Sequence, residues 1–527
     1  MTQAHRSIWG REIEQTKVRG NPCRVYRNRP HCVAQLLADA AQRWGTREFV
    51  VEGRRRLSFT AFSNAVDRTA GVLHSRGVGP ESRVVLLAYN SIEWLAAFWA
   101  IQKLGGVAVL ANAWWSAEEV RAALTEIEPA LVVADQPGKR GLAPADAVLD
   151  IGMLRVAADT ATQPEPLSTQ EVDEDSLSVI MFSSGTTGRA KGVLMSHRGL
   201  IANIQNLLVL TGRLPDELPA DATGTVSLLT VPLFHLAGVQ VSISTLLSGG
   251  KLVLLEGRFE AEAVLKLVER ERVRVWGSIP TMVSRVLDHP QLERFDVSTL
   301  RSIPMGGAAI SPTLRERVQR AFPGVKKSVG SLYGCTEAGG VVAAGSATDL
   351  QNRPGCVGRP LPVVEMKIAN PNADGIGEIK VRTPTATLGC WADPTPVADA
   401  AGWIGTGDLG WLQDGFLYLS GRSKDIVIRA GENVACAHVE QCLARHPAVR
   451  EVAVIPMPHA DLGEEVAAVV ALRPGCSADI EELTAYALNR LGKFQVPSRW
   501  WLRSEALPTN ASGKIAKSEL RANWAGD

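Results

Sequence analysis

Apolar positions in the first three hundred residues alternate between helical spacing and short apolar runs. Helical spacing predicts amphipathic helices, and the runs bounded by glycine or proline predict buried strands. The predicted helices cover 32–44, 59–77, 91–104, 261–271 and 281–288. The predicted strands cover 83–88, 106–110, 251–255, 273–277 and 300–304. Alternation of this kind predicts an α/β domain with much parallel sheet.

From about Gly355 the pattern changes to shorter strands separated by glycine and proline, such as 377–382 and 416–419. This pattern predicts a β-rich subdomain. After Gly421 a compact α+β pattern follows, with helices at 439–445 and 480–491 and strands at 452–455, 466–472 and 498–502. About one hundred residues are left for this C-terminal part, which is an ordinary domain size.

Composition is that of an ordinary globular protein. The 527 residues are too many for a single core, and 46% hydrophobic with 21% charged residues is an average balance. A net charge of +1 implies no general attraction to nucleic acid or to an anionic membrane. The eight cysteines form no C-x-x-C pair, so reduced thiols are expected rather than a zinc site or a disulfide framework.

Two features bear on location. The first twenty residues are polar and lack the apolar core of a signal peptide. The most apolar stretch, 226–255, is interrupted by Pro232, His235 and the pair Gly249-Gly250, so we interpret it as buried core rather than a membrane span. We therefore expect a cytoplasmic protein without integral membrane association.

Residues 182–193, FSSGTTGRAKGV, carry the densest cluster of candidate chemistry. The glycines let a backbone expose its N–H groups around an anion, and the side chains add hydroxyl donors and one positive charge. The donors are Ser183, Ser184, Thr186, Thr187 and Lys191, with Gly185 among the glycines. An ordinary surface turn is the plainer alternative, but the density of donors favours a polyphosphate site.

The segment is not a Walker loop. Counted from Gly185, the second required glycine is replaced by Ala190, and Lys191 is followed by Gly192 instead of serine or threonine. Because that missing hydroxyl is the residue that would hold Mg²⁺, a metal at this site needs a ligand from elsewhere in the chain.

Further segments follow in the order found in the adenylate-forming superfamily, which includes acyl- and aryl-CoA synthetases, luciferases and peptide adenylation domains. The loop resembles that family's S-S-G-T-T-G-x-P-K-G signature, with Ala190 replacing the proline. SLYGCTE at 331–337 resembles its Y-G-x-T-E motif, and MGGA at 305–308 resembles its Gly-Gly-Ala stretch. Thr406 to Asp408 match T-G-D, and 507–517 resembles the closing L-P-x-T-x-x-G-K-I.

The resemblance implies roles for individual residues. Lys514 would bridge the reacting carboxylate and the α-phosphate, Glu337 would hold Mg²⁺, and Tyr333 would stack on adenine. Asp408 and Arg422 would bind the ribose hydroxyls. The other residues implied to line the nucleotide or thiol site are Ser183, Ser184, Gly185, Thr186, Thr187, Lys191, Gly307, Ala308, Ser331, Leu332, Gly334, Thr336 and Gly431.

His235 falls where the family has a histidine or an aromatic residue at the mouth of the acyl pocket. A gating role and an ordinary core histidine are both compatible with the sequence. Ala430 replaces the first glycine of the family's G-G-E-N beside Gly431, which leaves the thiol channel less firmly defined.

The same resemblance implies a domain plan. An AMP-binding domain would cover 1–422, with 355–422 as its β-rich subdomain, and a small mobile domain over 425–527 would carry Lys514. Lys424 would be the hinge about which the small domain turns to run two reactions in one site.

The implied reaction uses ATP, Mg²⁺ and coenzyme A. A carboxylic acid is converted to an acyl-adenylate with release of pyrophosphate, and the thiol then displaces AMP to give a thioester. Uncharged residues at 236–239, Gly306, Gly307 and Leu332 disfavour an amino acid substrate and favour a fatty or aryl acid. The pair Trp114-Trp115 resembles some fatty-acyl-CoA synthetases, although such pairs are often packing residues.

Three alternatives stay open: a ligase that passes its acyl group to a carrier protein, a luciferase-like oxygenase, and a non-catalytic nucleotide- or acyl-binding relative. No insertion is evident near 340–425 of the kind that carrier ligases have, which favours coenzyme A. A non-catalytic relative predicts losses at the catalytic positions, yet Lys191, Glu337, Asp408, Arg422 and Lys514 are all present. We expect no nucleic-acid partner, and the sequence is compatible with a homodimer.

Overall fold

The computed structural model describes residues 8–135, 139, 141–144, 147–159, 167–183, 191–219, 221–306, 310, 312–325, 330–393, 395–422, 426–429, 432–459, 462–510 and 513–526. The helices within these residues are α1 (Val33–Trp44), α2 (Phe59–Ser75), α3 (Ile92–Lys103), α4 (Ala117–Ile127), α5 (Ile151–Asp159), α6 (His197–Thr211), α7 (Leu236–Leu247), α8 (Ala261–Glu271), α9 (Pro280–Leu287), α10 (Pro312–Ala321), α11 (Ala347–Asn352), α12 (Cys436–Leu443), α13 (Ile480–Leu488) and α14 (Lys517–Ala522).

The strands in the same residues are β1 (Ile13–Val18), β2 (Asn21–Tyr26), β3 (Glu48–Glu52), β4 (Arg55–Ser58), β5 (Arg83–Leu87), β6 (Val107–Leu110), β7 (Leu131–Ala134), β8 (Val148–Asp150), β9 (Leu177–Ser183), β10 (Lys191–Ser196), β11 (Val226–Leu229), β12 (Lys251–Leu254), β13 (Val275–Gly277), β14 (Met305–Gly306), β15 (Ser331–Cys335), β16 (Gly340–Gly345), β17 (Cys356–Pro360), β18 (Glu365–Ala369), β19 (Gly377–Arg382), β20 (Gly389–Cys390), β21 (Ile404–Gln413), β22 (Phe416–Arg422), β23 (Ile426–Arg429), β24 (Glu432–Ala435), β25 (Val449–His459), β26 (Gly463–Leu472) and β27 (Arg499–Arg503).

Two sheets with parallel cores form the first part of the chain. One has the strand order β20-β10-β9-β6-β5-β7-β8, with β5 parallel to β6 and β7 and β6 parallel to β9. The other has the order β13-β11-β12-β3-β4 and is parallel from β13 to β3. Helices α1, α2, α3, α6 and α7 share one core with these sheets, and α3 is buried nearly all round because it is apolar on every side. The predicted α/β architecture is confirmed.

The third sheet has the order β14-β15-β16-β17-β22-β21-β19-β18 and is mostly antiparallel. It includes three strands that precede Gly355, so the β-rich region begins earlier than the change in composition indicates. The predicted strand at 300–304 is wrong. Backbone hydrogen bonds join this segment to residues 274–278, but they form an isolated bridge between Ser302 and Val275 rather than a ladder, and Pro304 lacks the amide hydrogen that would extend it.

The C-terminal region has its own sheet and core. Strands run in the order β24-β23-β26-β25, and β27 joins β26 in parallel. Helices α12 and α13 contribute to one buried cluster of this region, whereas α14 contributes to another. This arrangement confirms the compact α+β pattern predicted after Gly421, and β25 and β26 extend beyond their predicted ends as one long antiparallel pair.

The apolar stretch at 226–255 forms β11, α7 and β12 and is almost entirely buried. Within the part of the chain that the structure describes, every helix is too short or too polar to cross a bilayer. The interpretation of this stretch as core is therefore confirmed.

His197, at the start of α6, provides a test of this packing. Its side chain is buried, its Nδ1 accepts a hydrogen bond from the Val33 N–H at 3.3 Å, and burial lowers the pKa of its imidazole from 6.5 to about 4. Between pH 6.5 and 4 the unfolded chain therefore binds more protons than the folded chain. The free energy of unfolding is unaffected by this histidine above pH 6.5 and decreases as the pH falls below it. We expect His197 to account for a loss of about 2 kcal/mol in unfolding free energy between pH 7 and 5.

Urea unfolding at both pH values would measure this loss. His197→Gln should show a smaller pH dependence than the unmodified protein, whereas His31→Gln at an exposed position should not. Equal pH dependence in the protein and in His197→Gln would contradict the assignment.

Candidate active site

Tyr333 and Asp408 meet in the third sheet. Tyr333 lies in the middle of β15, and its hydroxyl donates a hydrogen bond to Asp408 Oδ2 at 2.8 Å and lies 3.1 Å from Thr406 Oγ1. Asp408 is only 8% exposed, and its backbone N–H donates a hydrogen bond to Thr406 Oγ1. Burial, followed by the charge of Asp408, raises the pKa of Tyr333 above its ordinary value, so the phenol stays protonated and keeps donating.

Arg422 ends the strand opposite Asp408. The antiparallel register of β21 and β22 places the two residues directly across from each other. Two motifs that are fourteen residues apart in the sequence therefore come together at one end of a hairpin, beside Tyr333. The side chain of Arg422 lies outside the described part of the structure.

Lys191 begins β10, just after the hydroxyl-rich loop. Its Nζ donates to Asp393 Oδ2 at 3.1 Å, and this bond raises the pKa of the lysine. Hydrogen bonds from Thr395 and then from Lys191 lower the pKa of Asp393 to about 2. Both side chains are partly exposed, at 46% and 32%, so the pair faces open space in which an anion could compete for the lysine.

Glu337 is connected to the same place through its backbone. Its carbonyl oxygen accepts from the Thr387 N–H at 3.0 Å, and the Thr387 hydroxyl donates to the Leu194 carbonyl on β10 at 2.7 Å. The segment from Thr383 to Asp393 thus connects β10, which follows the hydroxyl-rich loop, to the turn that carries Glu337. Glu337 also lies close enough to Lys191 to contribute to its charged state.

His235 precedes α7 and packs against Phe234, with ring centroids 4.7 Å apart. Phe234 also makes an edge-to-face contact with Trp114, so His235, Phe234 and Trp114 form one aromatic cluster. Trp115 lies outside this cluster and packs on Phe182. Burial, and then the positive charge of Lys514, lower the pKa of His235 to about 4. Its Nε2 is buried and has no hydrogen-bond partner among the described residues, so a neutral imidazole is available at this position.

Lys514 lies in a narrow hairpin near the C-terminus. The Lys514 carbonyl accepts from Asn510 N–H at 2.7 Å, the Lys514 N–H donates to Asn510 Oδ1 at 3.0 Å, and Thr509 bridges Ile515. Gly513 has a φ of +73°, and a Cβ at this position would lie 2.3 Å from Ile279 Cδ1. The positive φ favours glycine, and the close approach would force the Ile279 side chain to shift for any larger residue. Because of this close approach, the charge of Lys514 reaches His235, which is 279 residues away in the sequence.

Other predicted residues lie around this centre. Ser331 is buried, and Leu332 and Thr336 are half-buried beside Tyr333. A Cβ on Gly334 would lie 1.9 Å from the Gly340 carbonyl oxygen, which explains the glycine. The predicted residues outside the described part of the structure are Ser184, Gly185, Thr186, Thr187, Gly307, Ala308, Lys424 and Gly431, together with the side chain of Ser183.

Residues 37–391 match the family model described as AMP-binding enzyme, and residues 438–514 match its AMP-binding enzyme C-terminal domain. The first match alone covers more than half of the chain. The protein belongs to the AMP-binding enzyme family. The predicted resemblance to adenylate-forming enzymes is thereby confirmed.

Known proteins match this AMP-binding enzyme over two thirds of its length or more. A feruloyl-CoA synthase of Amycolatopsis is 33% identical over 90% of this chain and 95% of its own. A long-chain-fatty-acid–CoA ligase of Bacillus subtilis is 31% identical over 68% of this chain and 63% of its own. The crystal structure of ATP-bound MatB from Rhodopseudomonas palustris superimposes with a TM-score of 0.82 at 29% identity, over 93% of this chain and 99% of that one.

The family membership and these relatives define the reaction class. The protein is an AMP-forming acid–thiol ligase, which activates a carboxylic acid with ATP and forms a thioester with coenzyme A. The reaction predicted from the motifs is confirmed at this level.

Sequence reasoning missed two participants in the geometry of the AMP-binding enzyme. Asp393, the partner of Lys191, is 202 residues away from it, and no spacing connects the two. The sequence gives no sign of Thr387 either, because its backbone N–H and its hydroxyl bond to two segments that are distant in the chain. A strand pairing of β10 with β20 would have been the only signal, and it depends on the fold.

Tyr333→Phe tests the hydrogen bond to Asp408. The resemblance assigns Asp408 to the ribose, and without the phenol this buried carboxylate loses a charged hydrogen bond. We expect the KM for ATP to rise about tenfold with kcat little changed, since such bonds contribute on the order of 1.5 kcal/mol. Initial rates against ATP concentration measure the effect. Tyr486→Phe, on the C-terminal helix α13, serves as the control, and an unchanged KM in Tyr333→Phe would refute the role.

Proposed function

We propose that this ligase acts on a fatty or aryl acid held between α7 and β15. The observation that carries the proposal is the neutral His235 beside the charge of Lys514, followed along α7 by the buried apolar residues Leu236 and Val239. An amino acid would bring a second charge that needs a carboxylate partner. The relatives named for feruloyl-CoA and for long-chain fatty acids support the same substrate classes.

The nucleotide would lie along the edge formed by β15, β21 and β22. Tyr333 would present its ring to adenine while its hydroxyl fixes Asp408, which would accept from the ribose hydroxyls together with Arg422 as donor. Lys191 and the hydroxyls of Ser183, Ser184, Thr186 and Thr187 would bind the β- and γ-phosphates. Displacement of Asp393 from Lys191 by the polyphosphate fits the open geometry of that ion pair.

Glu337 would hold Mg²⁺. The described residues contain no group of three metal-ligating side chains, so a lone carboxylate suits a cation whose other ligands are phosphate oxygens and water. When bound, the ion would offset negative charge on the departing pyrophosphate.

The chemistry follows from the leaving groups. A thiol cannot displace oxide from a carboxylate, so one carboxylate oxygen first attacks the α-phosphorus, and the bond to pyrophosphate breaks. Lys514 would stabilise the charge that builds up on the α-phosphate and hold the carboxylate in line. The thiol of coenzyme A, having lost its proton, then attacks the acyl carbonyl, and the bond to AMP breaks.

The domain plan belongs to the same proposal. A unit over 1–422, with its β-rich part at 355–422, and a mobile unit over 425–527 would turn relative to each other about Lys424. That turn would withdraw Lys514 and bring Gly431 to the channel through which the thiol of coenzyme A enters. We further propose that the enzyme works in the cytoplasm, and a homodimer is compatible with this plan.

Pyrophosphate release over a panel of acids, with and without coenzyme A, tests the substrate class. We expect release to depend on fatty or aryl acids and thioester to accumulate only when the thiol is present. Release without any acid would contradict the ligase assignment. Release with amino acids alone would contradict the proposed pocket, and acid-dependent release without thioester would move the acceptor to a carrier protein.

Lys514→Ala tests the division of the two half-reactions. We expect adenylation to fall about a thousandfold, the scale seen when one preorganised charge that stabilises a transition state is removed. Conversion of a supplied acyl-adenylate to thioester should stay within a few-fold of the unmodified enzyme, because that step does not use the lysine. Equal loss in both steps would refute the assigned role.

A further inference from the structure

Helix α9 contacts the C-terminal region at intervals of three residues. Ile279 precedes the helix and Met282 lies in its first turn, and both lie against the position that a Cβ of Gly513 would take, at 2.3 and 3.4 Å. Arg285 and Asp288 continue the same stripe toward the end of the helix. A spacing of three or four keeps side chains on one helix face, so α9 presents an apolar end and a charged end to the same partner.

Glu451 meets Arg285 at the charged end. Glu451 lies on β25 with a side chain only 5% exposed, and its Oε1 faces the Arg285 Nε at 3.6 Å. Neither of these two buried atoms has a hydrogen-bond partner among the described residues. Their attraction is therefore electrostatic, across the boundary between α9 and the C-terminal sheet.

The second oxygen of Glu451 bonds to the segment that leads into the Lys514 hairpin. Its Oε2 accepts a hydrogen bond from the Leu507 N–H at 2.7 Å, and Leu507 is buried. The hairpin that carries Lys514 starts at the next residue, where the Pro508 carbonyl accepts from the Ala516 N–H. Glu451 thus links α9 to the base of the lysine hairpin through a single side chain.

Asp288 concentrates the remaining charges. It caps the C-terminal end of α9, where a carboxylate is unfavourable because the helix dipole is negative there. Arg317 pairs with it at 2.5 Å from the same side of the boundary. Arg450 and Arg473 approach it at 3.5 Å each from β25 and from the end of β26. One carboxylate therefore holds two arginines of the C-terminal region against α9.

We propose that Glu451 is a positioning residue for Lys514, and that Asp288 with Arg450 and Arg473 completes a charged docking site that holds the C-terminal region on α9 during adenylation. The inference rests on the proposed role of Lys514. Thioester formation, for which the lysine is withdrawn, does not use these contacts.

Two conservative variants separate docking from folding. Glu451→Gln keeps the volume and an acceptor for the Leu507 N–H but removes the charge that faces Arg285, and Asp288→Asn removes the charge shared by the arginines. We expect each to slow acid-dependent pyrophosphate exchange about tenfold, within the usual range for one coupling between two states. Thioester formation from a supplied acyl-adenylate should change less than about twofold.

Matched controls exist on both sides of the boundary. Glu465→Gln alters a carboxylate of β26 that contacts Ser498 and Arg499 within the C-terminal region. Asp296→Asn alters a pair with Arg272 on the other side. Neither control should change the ratio of the two half-reaction rates.

A double variant tests the shared carboxylate. Arg450→Gln combined with Asp288→Asn should cost adenylation little more than Asp288→Asn alone, because the arginine has already lost its partner. Full additivity would contradict the pairing.

The outcomes distinguish the two levels of the hypothesis. Parallel loss of both half-reactions in Glu451→Gln would show a merely structural role, and unchanged adenylation in both variants would show that the charges do not hold the docked state. Either result would overturn the inference and leave the role of Lys514 standing. Failure of Lys514→Ala to affect adenylation selectively would instead overturn the proposed role of Lys514, on which this inference rests.

Discussion

The contact between Gly513 and Ile279 is the constraint on which the proposed arrangement of the site depends. The backbone of the lysine hairpin lies close to the residue before α9, and a Cβ at 513 would lie 2.3 Å from Ile279 Cδ1, so that side chain would have to shift. The same glycine has a left-handed backbone conformation, which turns the chain immediately before Lys514. One position thus fixes both the depth and the direction in which a C-terminal segment meets residues fixed more than two hundred positions earlier.

Around this contact, the charge state of each titratable group depends on its burial and on its neighbours. Lys191 and Lys514 are cations where phosphate charge is expected, whereas His235 stays neutral because burial and the nearby lysine both disfavour its protonation. The phenol of Tyr333 keeps its proton beside Asp408 for the corresponding reason. Acid and nucleotide would therefore meet surfaces of different polarity, which is the condition for binding an apolar acid beside a polyphosphate.

Much of the fold could be predicted from residue patterns. The helix at 261–271 coincides with α8, and the strand at 377–382 coincides with β19, because apolar periodicity records which face is buried. Strand partners could not be predicted. The pairing of β14, β15 and β16 with strands beyond Gly355 is a choice among distant segments that local periodicity does not contain. The predicted strand at 300–304 shows the reverse error: the run bonds to residues 274–278 beside β13, but Pro304 cannot donate and no regular ladder forms.

The site follows the same division. Motifs identified Tyr333, Asp408 and Lys514 as candidates, but the hydrogen bond between the first two joins residues 75 positions apart and emerges only from the sheet register. Glu451 had no sequence signal at all, because a single carboxylate in a strand is ordinarily a solvent-facing residue. Its importance comes from what the fold places on either side of it.

The charges at the end of α9 have a consequence for turnover. If the C-terminal region leaves α9 as proposed, Asp288 would keep Arg317, which lies on its own side of the boundary, and Glu451 would keep the amide of Leu507. A buried charge stripped of every partner would cost several kcal/mol, roughly 3 to 5, and would make separation slow. Here each carboxylate would retain a local partner, a cation for Asp288 and an amide hydrogen-bond donor for Glu451, so neither would lose every partner if the boundary parted as proposed.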